Sequence, residues 1–345
     1  SFKYLFMNFI SIHKKTWNHL QSQRGRLPHA LLIIGQRGLG KFALAQAFAK
    51  SLLCEAPLEG QLSCGKCLAC NWFEQGNHPD YRLLQPQALI EDPEAEEGKK
   101  KASQQITIDQ IRGLDEFFNV GTHRAGLRII VVNPAEAMNR NTANALLKSL
   151  EEPNQNTLFL LVSSEPLRLL PTIRSRCQTV PVSVPPAAVC EAALGEDGLA
   201  DAGRWLALAG GSPGVAIELA ASGEGGWLEL LTRRLAATGD LEPLGLAAEL
   251  DKVVRESKGR LALKSVVDAM QKWLVDLTLA SNGLPVRYFL PQQATISGLA
   301  DMIPPDRLVR TYRLFVTRRR EAEQPLNSRL FLEGLFMDYR SLLRN

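Results

Sequence analysis

The sequence predicts an α/β domain with a parallel sheet, followed by a wholly helical region. Two observations support this fold class. From residue 30 to about 182, continuous apolar runs typical of strands buried on both faces alternate with helical patterns. From Ala187 onward the pattern is helical throughout, with glycine-rich breaks at 210–211 and 223–226.

The length and charge of the chain limit its class. Its 345 residues exceed one typical domain, and we expect domains at 1–184, 185–223 and 224–345. The 40 basic and 36 acidic side chains give a formal net charge of +4, too small to indicate nucleic-acid binding by bulk charge. No apolar run approaches the roughly 20 residues that span a bilayer, so we expect a cytoplasmic protein without a membrane segment.

The first strand precedes a glycine-rich turn. The apolar run 30–34 leads into Gly35-Gln36-Arg37-Gly38-Leu39-Gly40-Lys41, which completes the spacing G-x-x-x-x-G-K, and a helical pattern follows at 43–50. Backbone N–H groups of such a turn and the helix N-terminus bind phosphate oxygens, and the lysine adds a charge near the terminal phosphates. The candidate nucleotide-binding residues are Gly35, Gly38, Gly40 and Lys41.

The positions that would handle Mg²⁺ are altered. A phosphate loop holds the ion with a Ser or Thr after the lysine, and this chain has Phe42 there. The next buried run, 127–132, should end in an Asp for Mg²⁺ and a Glu that activates water, but Asn133 and Pro134 stand there. We therefore expect Mg²⁺-assisted hydrolysis of ATP to be lost. Whether the loop still binds a phosphate stays open.

Four cysteines follow the helix after the phosphate loop, at Cys54, Cys64, Cys67 and Cys70. Two-residue gaps let successive thiolates converge on one tetrahedral ion, and four sulfurs complete its shell, as in structural zinc sites. We therefore predict a structural zinc module at about 54–70. Free buried cysteines and an iron–sulfur centre are the alternatives.

The remaining elements of the first domain follow in order. A short strand is expected at 106–108, with Asp109 capping the helix after it. A helix from 141 ends at Pro153, and the buried strand 158–162 ends at Ser163-Ser164, where a hydroxyl would sense a phosphate in a nucleotide-binding relative.

These features together resemble the bacterial clamp-loader family of AAA+ proteins, which belongs to the DNA polymerase III holoenzyme. The matching pieces are Gly35–Lys41, the four cysteines, Leu146–Pro153, Ser175-Arg176-Cys177 and Gly211–Gly214, so the resemblance covers nearly the whole chain. The cysteine module between phosphate loop and second strand, with Ser-Arg-Cys downstream, is its most specific part.

The resemblance implies an AAA+-type ATPase-like domain at 1–184 with an inserted zinc module, a helical lid at 185–223 and an oligomerising collar at 224–345. The collar would join a five-subunit ring with gamma/tau-type ATPase subunits and a delta-type subunit. That ring places the sliding clamp on primer–template DNA. The family's Ser-Arg-Cys arginine, here Arg176, reaches the neighbour's ATP, and its planar fork suits a γ-phosphate. ATP-hydrolysing relatives carry a lid arginine where this chain has Gly214.

Three functions follow from these expectations. The first is a non-hydrolysing ring subunit that lends Arg176 to a neighbour; the simpler alternative for Arg176 is a pair with a local carboxylate. The second is an active ATP-hydrolysing motor subunit, which needs a Mg²⁺ ligand that the sequence does not reveal. The third is a stand-alone zinc-containing DNA-binding protein, which the near-neutral charge and the lack of an aromatic–basic stretch disfavour.

Overall fold

In the computed structural model the chain forms two compact units, Ser1–Pro185 and Pro186–Asn345. The structure describes residues 9–90, 103–119, 126–223, 226–237, 241–257 and 261–343. Among the helices of these ranges, none combines the length and the hydropathy that a bilayer span requires.

The first unit is built on a parallel sheet. Its strands are β1 (Ala30–Ile34), β2 (Tyr81–Leu84), β3 (Arg128–Val132), β4 (Thr157–Ser163) and β5 (Gln178–Pro181). They lie in the order β2-β3-β4-β1-β5, and all pairs are parallel. In register, Leu31 pairs with Leu160 and Ile130 with Phe159. β3 and β4 are buried along their whole length, as their unbroken apolar runs predict.

Helices cover both faces of this sheet. They are α1 (Lys14–Ser22), α2 (Lys41–Leu53), α3 (Leu68–Glu74), α4 (Ile108–Asn119), α5 (Arg140–Glu151) and α6 (Pro171–Arg176). Alternate strand residues lie on opposite faces of the sheet. Leu160 packs in a cluster with Phe48 of α2, whereas Phe159 packs in a cluster with Leu114 of α4. The predicted α/β fold of the first unit is therefore confirmed.

The expected strand at 106–108 is wrong. Ile106 makes one isolated parallel bridge to Met138, and helix α4 already begins at Ile108. Thr107 caps that helix in place of Asp109, because the Thr107 N–H donates to Gln110 Oε1 at 2.9 Å and the Gln110 N–H donates to Thr107 Oγ1 at 3.4 Å. This reciprocal pair is a capping box, which fixes Thr107 at the helix start.

The described residues of the second unit form helices joined by turns and loops, and none of them forms a strand. Its helices are α7 (Ala187–Glu196), α8 (Ala202–Leu208), α9 (Pro213–Gly223), α10 (Trp227–Ala236), α11 (Pro243–Glu256), α12 (Leu263–Ser281), α13 (Gln293–Ala300), α14 (Pro305–Glu321) and α15 (Ser328–Leu343). Helix α11 packs on α15, and α12 packs on α14 and α13. At their centre the indole of Trp273 donates to the Tyr339 hydroxyl at 2.9 Å, and that hydroxyl donates to Leu235 O at 3.2 Å.

The predicted lid and collar lie in the same compact unit. A half-buried lysine joins the two segments, since Lys272 Nζ of α12 donates to Leu208 O at the end of α8 at 2.6 Å. A division of this unit at 223–224 therefore stays a prediction, and residues 224–225 of the expected break lie outside the described residues.

Asp276 anchors the turn that follows α12. Its fully buried carboxylate accepts hydrogen bonds from the backbone N–H groups of Arg287 at 2.8 Å, Tyr288 at 3.0 Å and Phe289 at 2.7 Å. Phe289 in turn packs edge-on against Trp273, with ring centroids 5.2 Å apart. The carboxylate thus ties the turn to the core of the second unit.

We expect Asp276→Ala to lower the free energy of unfolding by about 3 kcal/mol, because it leaves buried N–H donors without an acceptor. Urea unfolding measures the loss, and hydrogen exchange at Arg287, Tyr288 and Phe289 should accelerate. Asp301→Ala, at an exposed carboxylate of the same unit, is the control and should unfold like the unmodified chain. Equal stability of the two variants would contradict this account.

Candidate functional site

The glycine-rich turn lies at the carboxyl edge of the sheet, between β1 and α2. Gly38 and Gly40 adopt φ of 77° and 73°, in the left-handed region that favours glycine. At Gly40 a side chain would also overlap the ring of Phe9, which packs against the loop. His13 Nε2 donates to Leu39 O at 2.7 Å. Residues 9–13 therefore cover one side of the turn.

Lys41 begins α2 and is 4% exposed. Its ammonium donates to Gln36 O at 2.6 Å and to Ser164 Oγ at 3.0 Å, so it contacts both its own loop and the end of β4. Burial lowers the pKa of Lys41 to about 8, and the nearby charge of Glu136 opposes that effect in part. The structure thus brings the loop lysine and the predicted sensing hydroxyl together.

Glu136 is the functional-site residue that the sequence analysis missed. It lies in a 3₁₀ turn, Ala135–Ala137, just beyond β3. Its Oε1 accepts hydrogen bonds from the N–H groups of Ser164 at 2.9 Å and Glu165 at 3.2 Å. The signal in the sequence is an acidic residue two positions after Pro134, beyond the strand end at which a phosphate loop domain carries its carboxylates.

Three of the altered positions lie in the first unit and one in the second. Phe42 is half-buried, and its ring packs against the apolar cluster on one face of the sheet. Asn133 and Pro134 follow β3 and are joined by a cis peptide bond. Gly214 lies in the other unit, near the start of α9. None of these side chains carries a carboxylate or a hydroxyl group.

Arg176 ends helix α6 and is about one third exposed. One of its terminal nitrogens lies 2.7 Å from Glu151 Oε1, and the other donates to Thr172 O at 3.0 Å. The guanidinium therefore has a local carboxylate partner and a partly open face. Glu151 could not be identified as this partner from the sequence, because it lies on a separate helix, α5.

The four cysteines form one cluster. Their sulfurs all lie within 4.8 Å of one another, with Cys54 and Cys67 separated by 3.9 Å and Cys64 and Cys70 by 4.0 Å. A tetrahedral ion with metal–sulfur bonds of about 2.3 Å places its sulfurs about 3.8 Å apart. The donor set therefore fits one tetrahedral metal ion, and the separations are too long for disulfides.

Backbone N–H groups surround these sulfurs. Cys64 Sγ accepts from Lys66 N at 3.4 Å and from Cys67 N at 3.3 Å, and these bonds lower the pKa of the Cys64 thiol to about 6. Burial raises the pKa of Cys54 and Cys70. Because a bound cation favours thiolates, the arrangement suits a group that supplies positive charge.

The strand order, with a phosphate loop directly after the inner strand β1, defines an AAA+-type α/β domain. The chain belongs to the DNA polymerase III delta' family. A family model described as "DNA polymerase III, delta subunit" matches residues 12–185. The DNA polymerase III subunit delta' of Pseudomonas aeruginosa is 36% identical over 298 residues, which cover 83% of this chain and 80% of that protein.

Two further similarities either cover less of the chain or have a lower sequence identity. The delta' subunit of Escherichia coli K12 is 38% identical over 203 residues, which span 57% of this chain and 56% of that relative. Among solved structures, a gamma subunit-related protein of Thermotoga maritima is similar over 95% of this chain and 100% of its own, at 18% identity and a TM-score of 0.45.

We expect the Lys41 ammonium to titrate near pH 8 in the folded chain, because burial lowers its pKa. Since its pKa is higher in the unfolded chain, the unfolded state binds more protons above pH 8, and stability rises with pH in that window. NMR of ¹³C-labelled lysines measures the midpoint, and Lys41→Arg assigns the signal. A Lys41 signal with the midpoint of an ordinary solvated lysine would contradict the burial.

Proposed function

We propose that this chain is a non-hydrolysing subunit of the bacterial clamp loader that lends Arg176 to the ATP site of a neighbouring subunit. The observation that carries the proposal is the composition of the phosphate loop. It keeps Gly35, Gly38, Gly40 and Lys41, but at the position where a Mg²⁺-binding hydroxyl is required it has Phe42, whose half-buried ring packs against the apolar cluster.

The position of Arg176 supports the second half of the proposal. A guanidinium keeps its charge at cellular pH and can bind a phosphate through two parallel N–H bonds. Arg176 stands at a helix end with about a third of its side chain exposed, and its partner Glu151 is itself half exposed. An exposed ion pair is worth little, so a triphosphate can compete for the guanidinium.

The proposal includes the partners. These are gamma/tau-type ATPase subunits and a delta-type subunit in a five-subunit ring, which acts on the sliding clamp and primer–template DNA in the cytoplasm. The competing proposal is an ATP-hydrolysing motor subunit of the same family. ATP turnover by the purified chain that vanishes in Lys41→Ala would favour that alternative.

We further propose that the cysteine cluster holds zinc. Four sulfur ligands with no open position suit a structural Zn²⁺, which would cross-link the end of α2 to the start of α3. When bound, the ion contributes folding free energy to this segment, which has few buried apolar residues of its own.

In a ring assembled from the full chain and its partner subunits, Arg176→Ala should slow DNA-stimulated ATP hydrolysis at the adjacent site by about 10³-fold or more, because an arginine supplied in trans stabilises the transition-state charge. Single-turnover hydrolysis in purified rings measures the loss. Arg168→Ala, at an exposed arginine of the same unit, is the control. Rings with Arg176→Ala that turn over ATP normally would contradict the proposal.

Metal analysis of the purified chain should find one zinc per chain, and Cys67→Ser should reduce the content and accelerate hydrogen exchange across 54–74. Cys190→Ser serves as the matched control, because Cys190 is a free buried cysteine outside the cluster. Iron in place of zinc, or an equal metal content in both variants, would refute the zinc assignment.

A further inference from the structure

The Glu136 carboxylate accepts hydrogen bonds from two backbone N–H groups just beyond β4, one of which, that of Glu165, also donates to Ser163 Oγ at 3.2 Å. Glu136 Oε1 accepts from the N–H groups of Ser164 and Glu165, at 2.9 and 3.2 Å. The Ser164 hydroxyl accepts from the Lys41 ammonium at 3.0 Å. Glu136 also acts on Lys41 through its charge, since it raises the pKa of this lysine against the stronger effect of burial. Glu136, Ser164 and Lys41 therefore form one continuous polar group.

These donors are of the kind that binds an anion. Backbone N–H groups, a hydroxyl and a lysine at the start of a helix are what a phosphate loop offers to the terminal phosphates. In this chain the N–H groups of Ser164 and Glu165, the Ser164 hydroxyl and the Lys41 ammonium each have a partner within the protein. The remaining contact of Lys41, to Gln36 O at 2.6 Å, also lies inside its own loop.

We propose that Glu136 is a specificity-determining residue, whose carboxylate occupies the anion subsite beside Lys41 and excludes nucleotide phosphate from the loop. The inference rests on the proposed function, which removes hydrolysis, and extends it by naming the group that prevents binding. An entering phosphate has to displace the carboxylate from two N–H donors or share a buried space with it. Like charges in such a space repel strongly because the local dielectric constant is low.

The second carboxylate oxygen of Glu136 suggests the opposite role, that of a Mg²⁺ ligand. Glu136 Oε2 is buried and makes no hydrogen bond to the part of the chain that the structure describes. A carboxylate oxygen in this place is also what a motor subunit would use to hold Mg²⁺ beside a nucleotide. Removing the charge should strengthen phosphate binding if Glu136 excludes phosphate, and should weaken binding of ATP with Mg²⁺ if Glu136 is a metal ligand. A single substitution therefore separates the two roles.

The experiment titrates the full-length chain with inorganic pyrophosphate in the absence of Mg²⁺ and, separately, with ATP in its presence. Glu136→Gln keeps an oxygen for the two N–H groups but removes the charge, and we expect its pyrophosphate affinity to rise by about tenfold. Glu136→Ala is the second variant and should show the same rise. Adding Lys41→Ala to Glu136→Gln should abolish the gain.

Glu116→Gln is the matched control, because it removes the same charge from an exposed carboxylate on α4 of the same unit, away from the subsite. We expect it to bind pyrophosphate as the unmodified chain does. Two results would overturn the proposal: no gain in either folded Glu136 variant, or weaker binding of ATP with Mg²⁺ in Glu136→Gln, which identifies a metal ligand. Failure of the Arg176 proposal would appear in a neighbour's ATP turnover and leave these titrations unchanged.

Discussion

The buried charge of Lys41 is the constraint on which the candidate site depends. An ammonium removed from water needs acceptors nearby, and the sheet supplies them. Because β1 lies beside β4, the end of β4 brings Ser164 to the loop that follows β1. The loop folds Gln36 O back onto the same ammonium. Strand order and loop geometry together therefore decide which groups meet at this edge.

The sequence could predict the features that depend on local spacing. The buried strands followed from unbroken apolar runs, and the cysteine cluster followed from short gaps that bring thiols together. Features that depend on the register of separate elements could not be predicted in this way. Glu136 meets the N–H groups of Ser164 and Glu165 only because β3 pairs with β4. The wrong strand at 106–108 arose because three residues carry too little periodicity to separate a strand from a capped helix start.

Lys41 and Arg176 differ in how the protein holds their charges. Lys41 is buried and has partners inside the protein, whereas Arg176 is partly exposed and paired with an exposed carboxylate. Moving a buried, hydrogen-bonded cation to a new partner costs much free energy, whereas a cation in an exposed ion pair can exchange its partner at little cost. This contrast is the physical basis for our proposal that the subunit has closed its own phosphate loop and keeps an arginine available to a neighbour.

The most direct measurement is the structure of the assembled ring with Mg²⁺ and a slowly hydrolysed ATP analogue. The account predicts that the loop from Gly35 to Lys41 holds no nucleotide, and that the guanidinium of Arg176 has left Glu151 to lie within hydrogen-bond distance of the neighbour's γ-phosphate. An analogue bound with Mg²⁺ at Lys41, or an Arg176 still paired with Glu151 and directed away from every neighbouring nucleotide, would contradict it.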